Sequence, residues 1–108
     1  MTNKELLQDA LNILEPIPQD KWITGVFSDG NGNHCALGHY ISKRSWEQMQ
    51  YLRLASKHAL TILHPGIPTF VDIATINNRS NVENYTEPEI KDRVIHFLKD
   101  AVAIKEDF

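Results

Sequence analysis

A single cysteine stands in this chain of 108 residues, at Cys35, so no internal disulfide can form. A lone thiol is usual for a chain folded in a reducing cytoplasm, which is the expected location. A large net charge of either sign is missing. Eleven Lys and Arg against fourteen Asp and Glu leave a net charge of −3. A nucleic-acid binder usually carries a basic face, so nucleic acid is not an expected partner. No apolar run approaches the roughly 18 residues of a membrane span, and Met1-Thr2-Asn3-Lys4-Glu5 lacks an apolar signal core, which excludes a membrane role at this stage. Glycine and proline number five each, too few for a fibrous or low-complexity chain. No Walker-type loop or dinucleotide fingerprint occurs, and no cofactor is expected.

What remains is an ordinary composition, 42% hydrophobic and 23% charged, enough for one globular domain over 1–108 with a single core. Thr2 with Glu5 is a capping-box pattern, and Leu6, Leu7, Ala10, Leu11 and Leu14 follow at helical spacing. They predict a helix over about 3–15, stopped by Pro16 and Pro18. Ser45 with Gln48 opens a second helix over about 45–63, ended by His64-Pro65-Gly66. Its expected inner face is Met49, Leu52, Ala55 or Ser56, Ala59, Ile62 and Leu63. Thr86 with Glu89 opens a third over about 87–103, with Ile90, Val94, Phe97, Leu98, Ala101 and Val102 inward. Between the first two, Trp22 to Phe27 precedes Asp-Gly and Asn-Gly, strong hairpin signals. The spacing predicts a short β-hairpin near 22–36, although the return segment also reads as a helix beginning near His34 or Cys35. Residues 69–76 fit a strand or a helical turn equally. The expected fold is α+β: three main helices and a small hairpin.

The stretch from Asp29 to His39 concentrates the unusual chemistry. A cysteine at a helix N-terminus behind a Gly-rich turn has the local setting of a nucleophile. Cys35, with His64 as base and Asp72, Asn77 or Asn78 to orient it, is the trio such a hydrolase would use. A free cysteine is also among the most buried residues, and Ala36 and Leu37 beside it suit burial. Cys35 and His39, four apart, are soft ligands for zinc, but no second ligand pair exists, so no metal is expected. Asp29, Asn31 and Asn33 alternate like a calcium loop until His34 and Tyr40 fall where glycine and glutamate are needed. Turn chemistry explains them better.

Elsewhere, Trp22, Trp46 and Tyr51 read as plugs of a small core rather than a contact surface. Arg53 and Lys57, one turn apart, read as a solvated face. The polar segment 77–85 offers Asn77, Asn78, Arg79, Asn81, Asn84 and Tyr85, with His39, as residues able to read a polar ligand. It reads equally as a network of Asx turns.

Two of these segments carry a resemblance. Cys35-Ala36-Leu37-Gly38 after a Gly-rich turn, followed by an Asn-rich segment before the last helix, resembles a family of small uncharacterised phage and bacterial proteins. The family's pattern is Cys-Ala-Leu-Gly-Ala and later Trp-Asn-Asp. This chain has His39 for the second Ala and Ile76-Asn77-Asn78 for Trp-Asn-Asp, which removes any role needing a carboxylate at Asn78. The resemblance implies a phage or mobile-element accessory protein, a class that commonly binds and inhibits a host factor. The expected function is therefore a small non-enzymatic protein that binds a host protein or a small polar ligand. Glu5, Asp9, Glu83, Glu87, Glu89 and Asp92 would steer it toward a basic partner. The alternatives are a cysteine hydrolase built on Cys35 and His64, and a homodimer joined through an unburied apolar strip.

Overall fold

The computed structural model describes all of residues 1–108. Five α-helices follow one another: α1 Asn3–Leu14, α2 Ala36–Ile41, α3 Trp46–Leu63, α4 Ile73–Asn78 and α5 Ile90–Val102. A 3-10 turn over Gln19–Lys21 leads into the long loop before α2. The fold is all-helical, and the expected α+β architecture is corrected accordingly.

The segment expected to form a hairpin makes only isolated bridges, His34 with Trp22 and with Ser28. Three backbone bonds cross it: Ile23 N–H to His34 O, His34 N–H to Lys21 O, and Asp29 N–H to Asn33 O. The Asp-Gly and Asn-Gly turn forms, but residues 24–32 are exposed and supply no buried face on which a ladder could grow. The returning chain instead enters α2. Cys35 is its N-cap, with Sγ accepting from the Gly38 N–H at 3.4 Å.

α1, α3 and α5 make the frame: α1 packs on both α3 and α5. α1 opens with the complete Thr2–Glu5 capping box. Ser45 caps α3 through Gln48 N–H at 3.0 Å, but the Gln48 amide turns away to Tyr40 Oη at 3.0 Å, so that box stays half-made. At its far end Leu60 is buried, whereas Ile62 and Leu63 are half-buried. The short α4, over the segment whose type the sequence left open, is capped by Asp72, whose carboxylate accepts from Ala74 and Thr75 N–H. Asn77 and Asn78 therefore end a helix and do not begin a loop. α5 starts at Ile90, later than expected, and Glu89 makes no side-chain cap. The Thr86–Glu89 box does not form because the carbonyls of Glu87 and Pro88 face the Arg93 guanidinium, at 3.2 and 3.0 Å.

The core is one cluster of 26 apolar residues drawn from all five helices and the loops between them. No helix is long and apolar enough to cross a membrane.

Candidate functional site

The loop before α2 is stapled to α4 by two side chains. Asn77, buried, accepts the Ala36 N–H at 2.9 Å and donates to Ile23 O at 3.1 Å and to Asn78 Oδ1 at 3.0 Å. Asn78 Oδ1 also accepts the Gly25 N–H at 3.1 Å. On the other side, Gly38 lies so close to Phe27 that a Cβ there would overlap the Phe27 carbonyl. The Cys-Ala-Leu-Gly segment and the Asn-Asn pair, 41 positions apart along the chain at Ala36 and Asn77, are thus two halves of one clamp.

This clamp encloses one wall of a concavity of about 190 Å³, lined by Gly25, Val26, Phe27, Cys35, Leu37, Arg53, Ala74 and Asn78. Cys35 and Asn78 meet here, as the hydrolase alternative requires. His64 does not join them. It ends α3, where its Nδ1 faces the Asn84 amide at 3.0 Å and its Nε2 faces Tyr85 Oη at 2.9 Å. With Asn84 donating to Nδ1, the neutral ring carries its proton on Nε2 and donates it to Tyr85, which donates to Asp100 at 2.9 Å. Both ring nitrogens are committed, and neither is available to a thiol. The sulfur itself is buried and accepts the Gly38 N–H, the work of a cap.

The residues named as polar-ligand readers are likewise turned to internal work. His39 is buried, with Nε2 on Lys21 O at 2.9 Å and its ring between those of Trp22 and His34, at 5.4 and 4.9 Å. Burial pushes its pKa down. Tyr85 is wholly buried, its hydroxyl pushed well above the usual phenol range by burial and by Asp100. Asn84 sits at φ 72° and anchors His64. Asn78, Arg79, Asn81 and Asn84 are exposed, but only Arg79 and Asn81 among them have side chains without a hydrogen bond, and these two line a shallow concavity of about 290 Å³ with Phe70 and Val71. No group of three His, Cys, Asp or Glu side chains has the geometry to hold a metal ion.

Three of the acidic residues expected to steer a partner are also engaged. Glu5 closes its own capping box. Asp9 takes a bidentate bond from Arg44 at 2.7 and 3.0 Å and the Tyr40 hydroxyl at 2.9 Å. Burial, with Asp9 beside it, pushes Tyr40 up to about 12. Glu87 faces His96 at 2.7 Å, and His96 reaches Asp100 on its other side at 3.4 Å.

The exposed apolar residues tell a different story. Trp46 and Tyr51 on α3 are 56% and 52% exposed, which corrects the expectation that they plug the core; only Trp22 does so. Leu54 on the same helix, Val26 and Phe27 on the loop, and Met1 are exposed as well. Phe27 packs edge-on against Trp46 at 5.2 Å. Met1, Tyr51 and Leu54 line a groove of about 610 Å³ on one flank of α3, with Asn3, Leu6 and Gln48 beneath them. Arg53 lines the concavity on the other flank. Its Nε holds the buried Asp72 at 2.9 Å, while its terminal nitrogens make no hydrogen bond. α3 thus stands as an apolar ridge between two hollows, with a guanidinium at its edge.

Composition and motifs do not single out Arg93. It is buried, and its guanidinium donates to the carbonyls of Ile76 and Asn77, both at 2.6 Å, as well as to Glu87 and Pro88. It closes the C-terminus of α4, and burial lowers its pKa. Its position, three after Ile90 and four before Phe97, lies on the inward stripe of α5, and that register was the signal.

Comparison with protein-family models, with curated proteins and with solved structures finds no match.

Proposed function

We propose that this chain is a non-enzymatic binding domain that docks a partner protein through the outer face of α3 and the loop before α2. The observation that carries the reading is the gathering of Val26, Phe27, Trp46, Tyr51 and Leu54 in the open, on one helix and the loop packed against its start. Large apolar and aromatic side chains clustered at the surface mark contact sites, and Trp, Tyr and Arg are the residue types that most often dominate them. The partner's chemistry follows from Arg53. A guanidinium with both terminal nitrogens free, beside an apolar hollow of about 190 Å³, suits a segment that inserts one aliphatic side chain and presents a carboxylate next to it. This replaces the expected basic partner, since Glu5, Asp9 and Glu87 are spent within the fold. The reading keeps the proposed phage or mobile-element context and the reducing cytoplasm. In that context the partner is a host protein, and the Cys-Ala-Leu-Gly and Asn-Asn signatures build the clamp that shapes the hollow, with Cys35, Leu37 and Asn78 in its lining.

The test is selection of random displayed peptides on the purified protein. Enriched peptides should pair an aliphatic residue with a neighbouring Asp or Glu. Arg53→Gln should remove the acidic preference, and Leu54→Asp should abolish enrichment. Enrichment that survives Leu54→Asp overturns the reading. So does a concentration-independent dimer in light scattering whose dissociation requires Leu54→Asp, because a second copy then covers the face. The hydrolase alternative is decided by iodoacetamide: Cys35 should alkylate slowly in the native protein and quickly in urea.

A further inference from the structure

We propose that Asn31 is a site of spontaneous covalent modification, in which the Gly32 backbone nitrogen converts it through a succinimide to aspartate and isoaspartate. The loop from Ser28 to His34 contains two successive Xaa-Gly steps, Asp29-Gly30 and Asn31-Gly32, and the fold treats them in opposite ways.

The first step is locked. The Asp29 carboxylate accepts the Asn31 N–H at 2.8 Å, the Asn33 N–H at 3.3 Å and the Asn33 side-chain amide at 2.8 Å. Those donors hold it ionised, below the usual carboxylate range, with the Asn33 amide the largest cause. A carboxylate is a poor electrophile, because its leaving group would be an oxide. The Gly30 N–H, the nitrogen that would attack, donates to Ser28 Oγ at 3.1 Å.

The second step is free. Asn31 and Gly32 are exposed, the Asn31 side-chain amide makes no hydrogen bond, and the Gly32 N–H has no acceptor. Gly32 sits at φ 84°, and nothing lies within 4 Å of where a Cβ would stand. A glycine here leaves the nitrogen unhindered and the backbone free to turn toward the side chain. After loss of its proton to water or hydroxide, the Gly32 nitrogen forms a bond to Asn31 Cγ. The bond from Cγ to the side-chain nitrogen breaks, and that nitrogen leaves as ammonia. Water then opens the cyclic imide at one carbonyl or the other. Attack at Cγ gives aspartate, and attack at the backbone carbonyl gives isoaspartate, with the side-chain carbon now in the main chain. No redox partner or cofactor is needed.

No other asparagine in the chain precedes a glycine. Asn33 and Asn84 are held by side-chain bonds, and Asn77 is buried with its amide fully engaged. The product places a second carboxylate beside Asp29, in the turn whose end, His34, bonds Lys21 and Ile23.

The experiment compares the intact protein with a synthetic peptide of residues 22–43, both incubated at neutral and mildly alkaline pH. Mass spectrometry of the corresponding tryptic fragment and enzymatic methylation of isoaspartate are the readouts. Asn31 should convert in the native protein at a rate comparable with that in the peptide, rising with pH. Isoaspartate at Asp29 should form in the peptide and be suppressed in the protein. Asn31→Gln should abolish the Asn31 product. Native conversion many-fold slower than in the peptide, or no difference between peptide and protein at Asp29, overturns the proposal.

Discussion

The amide of Asn77 accepts the first backbone N–H of α2, that of Ala36, at 2.9 Å, and so ties the end of one six-residue helix to the start of another. The same side chain donates to Ile23 and Asn78. Asparagine is the residue that can accept on one side and donate on the other here. Asn77→Asp keeps the acceptor for Ala36 but loses both donations and leaves a charge in a buried place. We expect it to cost about 2 kcal/mol in urea unfolding, with Asn77→Ala similar. A loss below the error of the measurement would show that the clamp is dispensable.

Arg93 satisfies four carbonyls with one planar group. Arg93→Met fits the apolar surroundings but strands those oxygens, and we expect a loss of about 3 kcal/mol. Arg93→Lys should recover less than half of it, because a single ammonium cannot reach acceptors spread around a fork. Full recovery by lysine would reduce the role of Arg93 to its charge alone.

Acid should destabilise the protein in two stages. Burial lowers the His39 pKa in the folded chain, so the unfolded chain binds the proton first. Stability is therefore complete above the ordinary histidine value of about 6.5 and falls as pH drops through the folded value below it. The Arg44 guanidinium likewise holds Asp9 below its ordinary value. That contribution is present above about pH 4 and is lost as pH drops through the folded pKa. In a pH series of unfolding midpoints, His39→Gln should flatten the upper stage and leave the lower, and Asp9→Asn should do the reverse.

Gly38 is required by close approach, not by backbone angle. Gly38→Ala drives a methyl group into the Phe27 carbonyl, and we expect a loss of about 2 kcal/mol. Because Phe27 packs on Trp46, the displaced loop should also change the tryptophan emission. Unchanged stability and fluorescence together would contradict the contact.

The sequence made the frame legible and hid what fills it. α1, α3 and α5 run 12, 18 and 13 residues, long enough for their apolar stripes to repeat. α2 and α4 have six residues each, too few for any periodicity, and their caps, Cys35 and Asp72, are not distinctive in a linear reading. The hairpin expectation failed for a related reason. Turn residues at 29–33 specify a reversal, but only tertiary contacts decide whether a ladder or a helix follows it. Aromatic character alone puts Trp46 and Tyr51 inside. Their positions on α3, off the Met49–Leu52–Ala59 stripe, already put them outside. Chain order alone pairs His64 with Cys35, but its partners in the fold, Tyr85 and Asn84, lie 21 and 20 residues away.

Helices of six residues have almost no stability of their own, since nucleation costs more than one or two turns return. α2 and α4 exist because Asn77, Asp72 and Arg93 bond across from one to the other and to α3 and α5. Neither can melt alone: releasing Asn77 frees the start of α2 and the loop together, and the last turn of α4 with them. The loop, α2 and α4 thus form one cooperative unit of local opening, set beside a three-helix frame that stays closed. Amide hydrogens of these three segments would exchange as a group, at a free energy below that of global unfolding, while α3 keeps its ridge intact.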